Sequence, residues 1–400
     1  MTEFDTVFRS LRVVTPAGVM PAAVGVRDGR IRAVAGHGAR LRARCETDLG
    51  GTALLPGAVD LGTGVHTPGL ELAEAYRRTA RAALAGGATT LVVSPAPGRP
   101  AVTRADDLQV HLRASADSPV SVYLMGGVHP GSGPLDLTDL RAAGAVAFQC
   151  SLSDGGEPGM AGLEESRLRK AMAEIAALDA PLLVHAEDPV ELGPALTGQR
   201  PPVAERRGLE RVVAAARAVG TRTHVSPFTA AECAALLAAA RSIGVGVGAQ
   251  TCPHYLCLPT ELLEPGSPAH AFRPPLRSDA NRRALWSALL EENSAITTVS
   301  SGHLPARGLS TLEWSLPALW TAAARRGLGL HRLARWTAQG PAELLGLVGK
   351  GRIEVGCDAD LVAFSAEEEM TVPRSDPGPY AGRTIAGKVG PVWVSGQRVR

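Results

Sequence analysis

A chain of 400 residues gives room for one large barrel or for two to three ordinary domains. An apolar fraction of 45% beside 20% charged residues excludes long disorder, and 45 glycines with 30 prolines but no repeat exclude collagen-like and low-complexity chains. The net charge of +2, with no basic run interleaved with aromatics, argues against a nucleic-acid partner. No stretch of about 18 uncharged apolar residues is present, so no membrane span is expected.

The first residues carry Glu3, Asp5 and Arg9 and lack a basic stretch followed by an apolar one, so no secretion signal is read. The six cysteines stand at 45, 150, 233, 252, 257 and 357 without a CxxC pair. Reduced thiols in a cytoplasmic protein are the expectation.

In chain order, Thr6 to Val14, Ala22 to Val26 and Ile31 to Val34 read as short strands, the last after the Asp28-Gly29 turn. A first buried strand is expected across Leu54-Leu55 and Ala58 to Leu61. A helix over Glu71 to Ala85 is stopped by Gly86-Gly87. Strands follow at Thr89 to Ser94, Ser121 to Met125 and Ala145 to Cys150, then a helix around Glu164 to Leu178. Pro181 to His185, Arg222 to Ser226, Gly246 to Thr251 and Ala295 to Ser300 read as further strands. Helices over Glu205 to Val219, Ala230 to Arg241 and Asn281 to Glu291 separate them, and Leu312 to Arg325 closes the series. The last fifty residues return to strands at Asp360 to Phe364, Thr384 to Lys388 and Val392 to Val394.

Such alternation predicts an α/β fold, a parallel (β/α)8 TIM barrel over residues 55–351. Residues 1–54 and 352–400 are expected to form one composite β-sandwich domain from both chain ends. In a barrel of this kind, chemistry sits at the C-terminal ends of the strands. The residues there are Gly62, Gly64 and His66, then Gln149 and Cys150, then His185 and Asp188. His224, Pro227, Cys252, His254, Ser300, Ser301, Gly302 and His303 complete the series. Arg206 and Arg207, with Glu205 and Glu210, read as a solvated helix face with i,i+4 pairing.

The runs Leu55-Pro-Gly-Ala-Val-Asp60, Ala85-Gly-Gly-Ala-Thr-Thr90, Leu182-Leu-Val-His-Ala-Glu-Asp188 and Thr251-Cys-Pro-His-Tyr255 resemble those of the cyclic amidohydrolases. So do Pro274-Pro-Leu-Arg277 and the segment from Gly351 to Leu361. That family, in the amidohydrolase superfamily, includes dihydroorotases, hydantoinases and allantoinases. The resemblance leans to allantoinase in Phe148 to Asp154 and in Pro379 to Arg383. It implies a metal-bearing (β/α)8 barrel with a β-sandwich from both termini.

The resemblance also implies a ligand set for two divalent metals: a His-x-His pair, a carboxylated lysine, two further histidines and an aspartate. Imidazoles and carboxylates suit zinc, and two metals share a bridging hydroxide that attacks the carbonyl. Here the pair falls on Gly62 and Gly64, and the lysine on Gln149. One histidine is retained as His185, and the next falls on Pro227, with His224 three residues out of register. The aspartate falls on Ser301 or Gly302. The expectation is therefore a maintained barrel without its metal site, and no bound divalent metal as cofactor.

Three functions follow. The first is a non-catalytic scaffold or regulatory homologue of the allantoinases and dihydroorotases, a pseudoenzyme. The resemblance implies a homo-oligomer, dimer or tetramer, and a catalytic partner enzyme of nucleobase or ureide metabolism. The second is a metal-independent enzyme on a cyclic amide or ureide, with His185, His254 or His303 as acid or base. The third is a ureide-binding sensor, whose pocket would draw on His66, Gln149, Cys150, Asp188, Ser300 and Ser301.

Overall fold

The computed structural model describes residues 3–154, 159–193 and 200–400. Both chain ends contribute to one eight-stranded sheet. Its first strands are β1 (Phe4–Thr15), β2 (Gly18–Arg27), β3 (Arg30–Gly36), β4 (Ala43–Asp48) and β5 (Ala53–Pro56). The barrel strands are β6 (Ala58–Thr63), β7 (Ala88–Val93), β8 (Ser121–Gly127), β9 (Ala147–Ser151), β10 (Leu182–His185), β11 (Thr223–Val225), β12 (Val247–Thr251) and β13 (Ile296–Val299). The chain then returns to the terminal sheet through β14 (Leu361–Thr371), β15 (Thr384–Val394) and β16 (Gln397–Arg398).

Strands β6 to β13 run parallel in sequence order, each paired with the next. With helices packed outside, this is the expected (β/α)8 barrel. The interior alternates as it must when successive side chains point to opposite faces. Leu61, Val92, Met125, Ala147 and Leu183 fill its floor, while Leu91, Leu124, Phe148, Leu182 and Val184 turn out against the helices. The terminal sheet runs β16-β15-β14-β5-β1-β2-β3, with β4 on β1, and closes as a sandwich over Phe8, Ile31, Leu54, Leu361 and Trp393. Phe8 meets Trp393 edge to face at 4.9 Å.

Several boundaries differ from the sequence reading. The single strand expected across Leu54 to Leu61 is two strands, because Pro56 and Gly57 break it. β5 pairs with β1 and β14 in the terminal sheet, and only β6 enters the barrel. The two short strands expected over 384–394 are one continuous β15, which absorbs its glycines and Pro391 through shifts of register. Strand β4 and the helices Ala105–Ala114, Pro134–Ala142, Leu330–Ala334 and Gly340–Leu345 were not foreseen. Glu205 is no part of a solvated face. It is buried, pairs with Arg277 and accepts from the Thr229 and Ala230 amides. Arg206 and Arg207 do pair with Glu210 at the surface. No helix of the described residues is long and apolar enough to cross a membrane.

The two parts are locked together beneath the barrel by Lys350. Its ammonium lies 2.8 Å from Asp360 Oδ2, 3.0 Å from Asp358 Oδ2 and 2.8 Å from the Ser121 hydroxyl at the start of β8. Asp360 Oδ1 accepts from the Ser395 amide, so one buried carboxylate ties β14, β15 and the barrel floor. Burial opposes the Lys350 charge, but the two carboxylates outweigh it and raise its pKa. Lys350→Met should lower the unfolding free energy by about 3–5 kcal/mol, because it strands two carboxylates, one of them fully buried. Urea denaturation followed by tryptophan fluorescence checks this.

Candidate functional site

The barrel mouth encloses a cavity of about 180 Å³. Of the candidate residues, Gln149, Cys150, His185, Pro227, His254, Gly302, His303 and the bare backbone of Gly62 line it. His66, Asp188, Ser300 and Ser301 do not, which corrects their expected place in the pocket. Asp188 instead caps the short helix Pro189–Leu192 through the Val190 amide and pairs with Arg211 at 2.8 Å. His66 lies in the loop after β6, outside the cavity lining.

Ser300 and Ser301 close the barrel. The first and last strands, β6 and β13, share no ladder among the described residues. Side chains do the joining. The Leu61 amide donates to Ser300 Oγ at 3.0 Å, the Ser301 amide to Asp60 Oδ1 at 2.6 Å, and Ser301 Oγ to Asp60 Oδ2 at 2.7 Å. Thr63 Oγ1 gives Asp60 a further bond at 2.6 Å, and the Gly64 amide donates to the His303 carbonyl at 2.7 Å. Burial raises the Asp60 pKa, against the pull of the hydrogen bonds from Thr63 and Ser301.

His224 also lies elsewhere than a cavity ligand would. Parallel register sets it beside Leu183 and Gly248, one inward-facing layer below the cavity, and its Nε2 meets Thr298 Oγ1 at 2.8 Å. The next inward residue on that path is Ser226, which does line the cavity.

Glycines at the rim admit no larger side chain without rearrangement. A Cβ on Gly64 would stand 2.8 Å from Leu304 Cδ1 and 3.0 Å from the His303 carbonyl oxygen. One on Gly302, whose φ is +65°, would stand 2.6 Å from His254 Cε1. Gly62, at φ +90°, is different. A Cβ there meets only Ser94 Oγ at 3.7 Å and Gln250 Nε2 at 3.9 Å, so it opens into the cavity.

The imidazoles divide into two kinds. His254 is stacked on Phe272 with ring centroids 3.7 Å apart. Burial pushes its pKa down to about 3, and burial does the same to His224 and His303. All three are neutral at physiological pH. His185 is more open and donates from Nε2 to Glu187 Oε2 at 2.8 Å. Burial works to raise the Glu187 pKa, but His185 and Arg200 outweigh it and hold the carboxyl down to about 2. Arg200 grips the same carboxylate through Nε and Nη2. The His185 ring is thereby fixed with Nδ1 left over. Among the described residues, no group of three or more His, Cys, Asp or Glu is placed to hold a metal ion. All six cysteines are free thiols, and burial raises the Cys150 and Cys252 pKa values well out of the thiolate range.

Sequence reasoning missed Ser94, Gln250 and Arg200. Gln250 is 3% exposed and sits inward on β12, at a position with no motif to mark it.

Residues 51–399 match the model of the amidohydrolase family. An allantoinase of Streptomyces avermitilis is 37% identical over 430 aligned positions, covering 100% of this chain and 96% of that protein. An allantoinase of Rubrobacter xylanophilus is 33% identical over 97% of this chain and 92% of its own length. The L-hydantoinase (dihydropyrimidinase) from Arthrobacter aurescens superposes with a TM-score of 0.91 at 26% identity, covering 99% of this chain and 96% of that one.

Two outcomes test this geometry. Ser301→Ala removes a donor to a buried carboxylate and should cost about 1.5–3 kcal/mol in urea denaturation. The second is a pH titration of stability. The unfolded chain protonates histidine near pH 6.5, whereas His224, His254 and His303 stay neutral down to about 3 in the folded state. The unfolded state therefore binds more protons in that window, and stability falls as pH drops below about 6.5. His224→Gln should flatten the slope by up to about 1.4 kcal/mol per pH unit.

Proposed function

The chain belongs to the amidohydrolase family, and from that premise we propose that it is a non-hydrolytic member, a scaffold or regulatory homologue of the allantoinases. In this reading the barrel and its mouth are kept while the dinuclear metal chemistry is gone. The observation that carries it is the packing at the rim. His254 crowds the ground that a side chain at Gly302 would need, and Leu304 with the His303 carbonyl crowds that at Gly64, so a donor at either place requires its neighbours to shift.

The donor set supports the same reading. A dinuclear centre needs several imidazoles and carboxylates converging on each ion. Gly62, Gly64, Gln149 and Pro227 supply none, and Ser301 with Asp60 is spent on barrel closure. His185 is the one retained imidazole, and its Nε2 is committed to Glu187. The residues present do not fit a pair of metals, and no reaction step is routed through one. The reading carries with it action through assembly, as a homo-oligomer or beside a catalytic partner enzyme of nucleobase or ureide metabolism.

One observation favours a second reading, a metal-independent enzyme. His185 faces the cavity with its ring oriented by a buried carboxylate, an arrangement suited to proton transfer. His254 and His303 are poor candidates for that role, since their low pKa makes them weak bases.

Purified protein supplied with zinc or manganese, desalted and given allantoin or hydantoin separates these readings. Well under ~0.1 metal per chain and turnover at least ~1,000-fold below the usual 1 s⁻¹ or more are expected. One or two metals per chain with turnover near ~1 s⁻¹ overturns the proposal. Chelator-insensitive turnover lost in His185→Asn establishes the second reading.

A further inference from the structure

At the end of the barrel opposite the mouth, a second cavity of about 340 Å³ lies between the barrel and the terminal sheet. Its walls include the β1–β2 turn at residues 15–18, Pro56 just ahead of β6, and part of the helical turn Arg335–Gln339. His331, Arg332, Arg335 and Arg352 line it, and none of the described residues around it is acidic.

Two features of the backbone bring these groups together. The turn Arg335–Gln339 is π-helical and packs against β6 and β13. Such turns are rare and collect at functional sites. The segment that carries Arg352 is pressed onto it, since a Cβ on Gly351 would stand 2.4 Å from the Ala338 carbonyl oxygen. Glu343 then sets the side chains. It pairs with Arg335, accepts from Gln339 Nε2 at 2.8 Å and lies 3.8 Å from Arg352 Nη1.

These pairings leave donors and charge in excess. Arg332 has no ion pair and no side-chain hydrogen bond among the described residues. Arg352 stands 3.6 Å from Glu354 and 3.8 Å from Glu343, both beyond hydrogen-bond distance, and its Nε is buried with no hydrogen-bond partner. Arg335 gives Glu343 only its Nη1 group, and the rest of its fork is open. Two carboxylates thus answer three guanidiniums.

We propose that this cavity binds a small phosphorylated anion. Guanidinium forks match the oxygens of phosphate and carboxylate groups. A phosphoryl group brings three acceptor oxygens and about two negative charges, which suits three forks converging from separate positions better than a planar carboxylate does. A bounded cavity of this size fits a small phosphate ester rather than a membrane face. The site stands apart from the mouth and holds whether or not the mouth hydrolyses anything. Its π-helical wall rests on β6 and β13, the two strands that the Asp60 seam joins, so a bound anion stabilises the fold by mass action at that seam.

Binding is read by calorimetry on the full chain at pH 7 and constant ionic strength, because exposed charge is screened by salt. Pyrophosphate serves as the probe and malonate as the planar carboxylate. Pyrophosphate should bind saturably with a Kd below ~1 mM, and malonate at least ~10-fold more weakly. Arg332→Gln and Arg352→Gln should each weaken pyrophosphate at least ~10-fold. Arg169→Gln, on the exposed face of the helix Glu165–Ala177, should leave it unchanged. The arginines of the mouth are intact in all three variants, so the loss localises the anion. Arg332 is exposed and unpaired, so its variant carries the test if Arg352→Gln fails to fold on melting.

No saturable binding up to ~10 mM pyrophosphate overturns the inference. So does equal affinity in Arg332→Gln, an equal loss in Arg169→Gln, or tighter binding of malonate.

Discussion

The barrel depends on one buried carboxylate. Strands β6 to β13 make seven lateral pairings, and the eighth junction is bridged by Asp60, Ser300 and Ser301 together with the Gly64–His303 backbone bond. A carboxylate fits this task because it has four acceptor positions and takes bonds from β6 and β13 at once. The bonds from Ser301 and Thr63 favour its charged form, but burial is the larger effect and raises its pKa. Ser301 is one of the two positions, with Gly302, to which the family resemblance gives an aspartate. There the hydroxyl and amide point back at Asp60 rather than into the mouth. The closure and the cavity are thus linked: what joins the barrel is what the cavity lacks.

Charge at the mouth has been handled by pairing and by exclusion. Glu187 is fully buried but bracketed by Arg200 and His185, so it remains ionised without facing the cavity. The other histidines are dehydrated to neutrality, two of them against the cavity and one in the layer beneath it. Lys350 performs the matching task at the opposite end, holding Asp358 and Asp360 between the barrel and the terminal sheet. The fold therefore spends several of its buried charges on joints, and its cavity combines amides, hydroxyls and neutral rings with the guanidinium groups of Arg200, Arg273 and Arg307.

The barrel was legible because apolar runs and helical stretches alternate along the chain. The helices Ala105–Ala114 and Pro134–Ala142 were not, since each turns only two residues fully into the core. Ser300 and Ser301 stood at the right strand end but in the wrong role. Their partners lie some 240 positions away, and no local pattern encodes such a bond. His224 shows the limit of motif reading in a strand. Three residues along the chain is an odd step and also a different layer, so proximity in sequence to Pro227 says nothing about reach into the cavity. Gln250 escaped notice because a lone glutamine in an apolar strand carries no signal until its neighbours are known.

Loss of metal donors alone would leave two routes open to a barrel. One is to fill the mouth with apolar side chains, as in a repacked core. The other is to keep it polar. Apolar filling is the cheaper state for an unused space, because it leaves neither a void nor buried acceptors without partners. This chain carries polar residues at Ser94, Gln149, Ser226 and Gln250 around one space, with Gly62 leaving room between them. Two of those residues carry carbonyl oxygens that have no hydrogen-bond partner among the described residues. Keeping such groups in place costs stability that apolar filling would recover.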